Sequence, residues 1–176
     1  RLSFAVNHAV HGLRPAGYHA VNVAFHLVTA LLVLVLARRL LDALAARRGA
    51  PEGWGWAHAP AGEGDRRAAA LVAALVFAVH PVQTQAVTYV VQRMTVRGAF
   101  CALSALLRWL DARARTGAPR TRRVAGAILC GWLAVSCKEN YVVLPGIVLL
   151  VEVVLEPGLL ARLRALLRGA RVHLLI

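Results

Sequence analysis

The arginines of this chain gather in every second gap between its apolar runs. Five runs stand out: residues 18–37 (YHAVNVAFHLVTALLVLVLA), 68–79, 98–110, 124–137 and 141–155. The gap between the first and second holds Arg38, Arg39, Arg47, Arg48, Arg66 and Arg67. The end of the third run and the gap after it hold Arg108, Arg113, Arg115, Arg120, Arg122 and Arg123. The segment after the fifth holds Arg162, Arg164, Arg168 and Arg171. Sixteen of the 21 lysines and arginines are in these three places. A soluble helical bundle has no reason to alternate its charge this way. A membrane protein does, because cytoplasmic loops collect Lys and Arg.

The expected fold is therefore all-α: a multi-pass transmembrane helix bundle with interfacial amphipathic helices. Residues 1–176 form one integral-membrane domain, with 38–67 and 111–123 as cytoplasmic loops and 80–97 as an outer-face amphipathic segment. The stretch LLARLRALLRGARV after Pro157 reads as a basic amphipathic helix on the inner surface. Hydrophobic residues make up 59% of the chain, above the ~45–50% of soluble domains. A nucleic-acid binder would explain the net charge of +13 but not the apolar content, so the bilayer is the expected partner and nucleic acid is not.

The first run has the ~20 residues a span needs. The other four fall below the usual ~17–25, a length more often seen in buried core helices. Flanking residues and snorkelling arginines lengthen such runs. Lys138 is the sole lysine, which, with the abundance of Ala, Leu, Val and Gly, points to a GC-rich bacterial genome and an inner membrane. The chain begins at Arg1, not Met, and is read as an internal piece of a longer protein. Cys101, Cys130 and Cys137 lie in apolar runs without a CxxC pair and read as buried thiols.

Two outer segments carry candidate chemistry. On a helix over 82–97, Ala86, Val90 and Met94 form an apolar stripe, and Gln85, Thr88, Gln92 and Thr95 a polar face. Tyr89, Arg93 and Arg97 line its edge, with Pro81 kinking the chain after His80. Arg93 and Arg97 would present planar guanidinium forks to phosphate, whether of a substrate or of any phospholipid. Lys138-Glu139-Asn140 form a tight outer turn near that segment. Glu152 lies deeper, where it snorkels or pairs with an arginine. His19, Asn22 and His26 share one face of the first run and suit polar contacts inside a bundle better than a metal. No phosphate-binding glycine loop, GxSxG or HExxH occurs, and Glu139 is the only acidic residue on the outer side.

The stretches GYHAVNVAFHL (17–27), HPVQTQAVTYVVQRM (80–94) and SCKENYVVLP (136–145) resemble, as an ordered set, the membrane half of the transmembrane and tetratricopeptide-repeat O-mannosyltransferases and their bacterial relatives. These are integral-membrane glycosyltransferases of the GT-C class. The resemblance implies a GT-C-like fragment that uses a polyprenyl-phosphate sugar donor on the outer face, with a protein or glycan hydroxyl as acceptor. It also implies a catalytic carboxylate in an outer loop, expected before Arg1. No cofactor is bound covalently, and any divalent metal would accompany that carboxylate outside these residues. The catalytic residue itself is thus unknown here. Arg93, Arg97, Lys138, Glu139, His80 and Gln85 are expected to bind the lipid phosphate or the substrate. Gln83 and Gln85 stand where many members carry a second His and an acidic residue, which turns the reading of this segment toward phosphate and away from acid–base chemistry. The alternatives are a non-catalytic membrane scaffold or lipid-binding module attached to tetratricopeptide repeats, and a small-solute transporter with Asn22, His26 and Glu152 on its path.

Overall fold

The structure, a computed structural model, describes residues 2–46, 62–89, 92–156 and 158–159. Among them every regular element is helical: α1 Leu2–His11, α2 Pro15–Ala45, α3 Glu63–Val79, α4 Gln83–Thr88, α5 Arg93–Arg113, α6 Gly117–Cys137 and α7 Leu144–Leu155, with a short 3-10 helix over Glu139–Val143. The all-helical expectation holds. The expected amphipathic helix beyond Pro157 and most of the first arginine-rich loop lie outside the described residues.

Each helix starts or stops for a local reason. Pro15 occupies the first position of α2, where its missing N–H costs nothing. Pro81 forces His80 out of the helical region, to φ −62° and ψ 130°, and so ends α3. Gly117, at φ 62°, makes the reversal from α5 into α6. Pro145 sits in the first turn of α7.

The helices run further than the apolar runs that seed them. At 1.5 Å per residue, α2 is about 46 Å long and α5 and α6 about 32 Å each, against a hydrocarbon core of ~30 Å. α2 continues to Ala45, through the segment expected to begin a loop at residue 38. In the expected loop 111–123, only residues 114–116 lie between helices. Arginines are good helix formers with long stems, so a helix carries them to its end without a break. Among the described residues, α2 is the one helix both long and apolar enough to cross a membrane.

Contacts at the two ends fix the topology. Arg66 of α3 pairs with Asp42 of α2 at 2.9 Å, and His26 meets Ala78 farther along, so α2 and α3 are antiparallel. α5 runs alongside α2 in the same direction, with Arg93 at Asn22 and Asp111 at Arg39. α6 returns against α5, from Arg123 at Asp111 to Tyr141 at Thr95. The arginine-rich ends therefore share one end of the bundle.

The packing is inside-out relative to a soluble protein. The buried apolar residues are mostly alanines: Ala30, Ala70, Ala74, Ala102, Ala105 and Ala134. The large apolar side chains face outward, including Leu71 and Leu75 on α3, Leu129 and Trp132 on α6, and Leu150 on α7. Helices that associate in lipid bring small residues together and lose nothing by turning leucine outward.

Candidate phosphate site at the start of α5

The 80–97 segment is not one helix. α4 stops at Thr88, Tyr89 is extended, and α5 begins at Arg93. The reason comes from another part of the chain. Asn22 of α2 donates from Nδ2 to the carbonyl of Val87 at 3.3 Å and reaches that of Tyr89 at 3.5 Å. These bonds take the last carbonyls of α4 and make the break cheap.

Arg93 does not project toward solvent as expected from the edge of a surface helix. It is fully buried. Its Nε donates to Asn22 Oδ1 at 2.8 Å, a terminal nitrogen donates to the Tyr18 carbonyl at 3.1 Å, and its guanidinium lies 5.5 Å from the Tyr18 ring centroid. The Tyr18 hydroxyl in turn donates to Gly12 O at 3.0 Å. Arg93 therefore ties the start of α5 to α2. A buried charge is tolerated when it is hydrogen-bonded, and among the described residues amide and carbonyl oxygens from Asn22 and Tyr18 contribute to this.

Lys138 joins the same corner from α6. Its ammonium donates to Thr95 Oγ1 at 3.0 Å, and Thr95 donates to Gln92 Oε1 at 2.8 Å. Tyr141 donates to the Thr95 carbonyl at 2.7 Å. Its ring lies against Gly98, where any Cβ would collide with it. The third cation, Arg97, folds back toward the start of α5 and donates to Met94 Sδ at 2.9 Å. Its Nε is buried with no hydrogen-bond partner among the described residues. Thr95 and Arg97 lie about 200° apart around the helix, so Lys138 and Arg97 flank its first turn from different sides.

The remaining candidates are spread more widely. His80 and Gln85 are exposed at the α3–α4 junction, where His80 Nδ1 accepts from the Val82 N–H at 3.2 Å. Neither bonds to Arg97 or Lys138 among the described residues. Glu139 is exposed at the first position of the 3-10 helix, next to Lys138. Below Tyr141 an apolar groove of about 430 Å³ opens between α5, α6 and α7, lined by Trp109, Ile128, Trp132, Val142 and Val148. Among the described residues no three His, Cys, Asp or Glu side chains form a metal cluster.

Of the three residues expected to make polar contacts inside the bundle, Asn22 and His26 are buried and do so, whereas His19 is exposed. His26 Nε2 lies 3.0 Å from Ala78 O, and its ring stacks on Phe77. Glu152 pairs with Arg113 and accepts from Trp109 Nε1 at 2.6 Å. Sequence reasoning missed that Asn22 and Tyr18 are the partners of Arg93. An amide in the middle of an apolar run was the available signal.

No family model matches the chain, and no solved structure does. Curated relatives do match. The protein O-mannosyl-transferase Tmtc3 of Drosophila melanogaster is 35% identical over 157 residues, covering 86% of this chain and 16% of that protein. Its Mus musculus counterpart is 27% identical, covering 89% of this chain and 14% of that protein. Drosophila Tmtc2 is 31% identical over 79% of this chain and 13% of its own length. The chain thus spans a small part of these relatives. Over most of its own length it is a homologue of the Tmtc protein O-mannosyl-transferases.

Proposed function

We propose that this chain is part of a multi-pass membrane glycosyltransferase of GT-C type that moves a sugar, mannose by analogy with the relatives' names, from a polyprenyl-phosphate donor to a protein or glycan hydroxyl. The start of α5 holds the donor phosphate on the outer side. The inside-out packing supports insertion of α3, α5, α6 and α7 beside α2. The arginine-rich end then faces the cytoplasm, and the arginine-heavy composition suits a bacterial inner membrane.

The observation that carries the phosphate reading is the uncompensated charge at this corner. Among the described residues the buried Arg97 Nε lacks an acceptor, and the Lys138 ammonium is held by a hydroxyl instead of a carboxylate. The first N–H groups of α5 add the positive end of a helix. A phosphate on the Lys138 side of this turn would meet the ammonium and the helix end, while Arg97 adds its charge from the other side. As the sugar departs, charge grows on the phosphate oxygens, and donors fixed in place beforehand stabilise it. Arg93 acts as a positioning residue, because it anchors the turn to α2. The apolar groove below Tyr141 suits the polyprenyl chain. Glu139 would accept hydrogen bonds from sugar hydroxyls, and His80 and Gln85 would border the acceptor side.

The test is transfer by the full-length protein in proteoliposomes, from polyprenyl-phosphate mannose to an acceptor peptide. Arg97→Gln and Lys138→Ala should each lower the rate by about a hundredfold, as loss of a preorganised donor does, while insertion is unchanged. Full rates in both variants would return the chain to the scaffold reading.

A further inference from the structure

The arginine-rich end holds a second cationic site, and its design differs from the first. A groove of about 380 Å³ lies between α2, α5 and α6. Arg39, Arg108 and Arg123 line it from three different helices, and Asp111 is the single acid among the lining residues. Asp111 is already committed, since it pairs with Arg39 and with Arg123 at 3.1 Å. Arg108 makes no ion pair among the described residues and is exposed. Its side chain crosses onto α6 at Gly126, where an added Cβ would meet Arg108 Nη1 at 2.8 Å. Three cations against one carboxylate leave the groove with a net charge of about +2 at neutral pH.

The other walls are apolar: Val35, Phe100, Leu107 and Leu133. An apolar cleft with a cationic rim matches an amphiphilic anion, not a free one. Basic pockets between helices on the cytoplasmic side take anionic headgroups. We infer that this groove binds an anionic phospholipid of the inner leaflet. Its phosphate lies between Arg108 and Arg123, and an acyl chain runs along Phe100 and Leu133. The inference rests on the membrane-spanning reading above, but on none of the residues at the start of α5.

The experiment is lipid competition on the full-length protein in detergent. Dioleoyl phosphatidylglycerol competes with dioleoyl phosphatidylcholine, and retained lipid is read by native mass spectrometry. Inorganic phosphate and glycerol 3-phosphate serve as headgroup-only probes. The expected result is a preference for phosphatidylglycerol that falls about fivefold in Arg108→Gln, as one arginine near a membrane surface contributes. Leu133→Trp, which fills the apolar wall, should displace the lipid while leaving the charge intact. Equal retention of the two lipids by the unaltered protein overturns the inference, whether or not the variants fold. Headgroup-only binding of equal strength would show a free-phosphate site and also overturns it. A protein that stays soluble without detergent overturns the membrane reading itself. A solubilised, transfer-active protein without lipid preference overturns this inference alone.

Discussion

The two ends of the bundle handle positive charge in opposite ways. At the arginine-rich end, cations meet carboxylates. Arg38 and Arg67 meet Glu63, Arg66 meets Asp42, Arg39 and Arg123 meet Asp111, and Arg113 meets Glu152 and Glu156. These partners are mostly part-exposed, and such pairs contribute little each. At the opposite end, Arg93 and Lys138 are held by amide, carbonyl and hydroxyl oxygens, and Arg97 Nε by none among the described residues. Neutral acceptors fix a guanidinium in place without cancelling its charge. Ion pairs take up most of the charge at the arginine-rich end, and the groove beside Arg108 keeps the remainder. An end built from neutral acceptors keeps its positive potential for an incoming anion.

The sharpest way to break this contrast is to remove the buried cation. Arg93→Ala should destabilise the fold by about 3 kcal/mol, because the buried Asn22 Oδ1 and the part-buried Tyr18 carbonyl both lose a charged donor. A thermal melt of the detergent-solubilised protein, followed by size exclusion, reads this directly. An unchanged melting point would mean that the α2–α5 tie is not structural. Gly98→Val comes next, at about 2 kcal/mol, because it overpacks the turn against the Tyr141 ring. It should also slow transfer by displacing Tyr141 from Thr95.

Asn22→Asp transplants the device of one end onto the other. A carboxylate beside Arg93 makes an ion pair but gives up the bond to Val87, so the net effect on stability should be small, about 1 kcal/mol. Affinity for polyprenyl phosphate should nevertheless fall, because the corner gains a negative charge. Stability and affinity moving together would show that the two roles are not separable. The smallest effect belongs to Glu63→Gln, whose partners Arg38 and Arg67 are both exposed. It should change stability by about 0.5 kcal/mol or less, and transfer not at all.

The alternation of arginines made the helical architecture and the shared arginine-rich end legible in the sequence, since charge position and helix direction are linked along the chain. The lengths were less legible. Apolar runs mark the middle of a helix, but α5 begins at Arg93 and α6 carries Arg120, Arg122 and Arg123 within it, so charged residues extend the helices beyond their apolar parts. The break between α4 and α5 could not be read from periodicity, because residues 82–97 keep a helical pattern across it. It depends on Asn22, more than sixty residues earlier, taking the carbonyls of Val87 and Tyr89. Arg93, Arg97 and Lys138 all lie near the start of α5, but the burial of Arg93 follows from Tyr18 and Asn22 in a helix distant in sequence.

Binding of polyprenyl phosphate, compared with the uncharged polyprenol, measures the proposed use of the opposite end most directly. In nanodiscs, the full-length protein should bind the phosphate at least tenfold more tightly than the alcohol, and the double variant Arg97→Gln/Lys138→Ala should erase that difference while its melting point holds. Equal binding of the two lipids by the unaltered protein, or a preference that survives the double variant, would contradict a phosphate site at the start of α5.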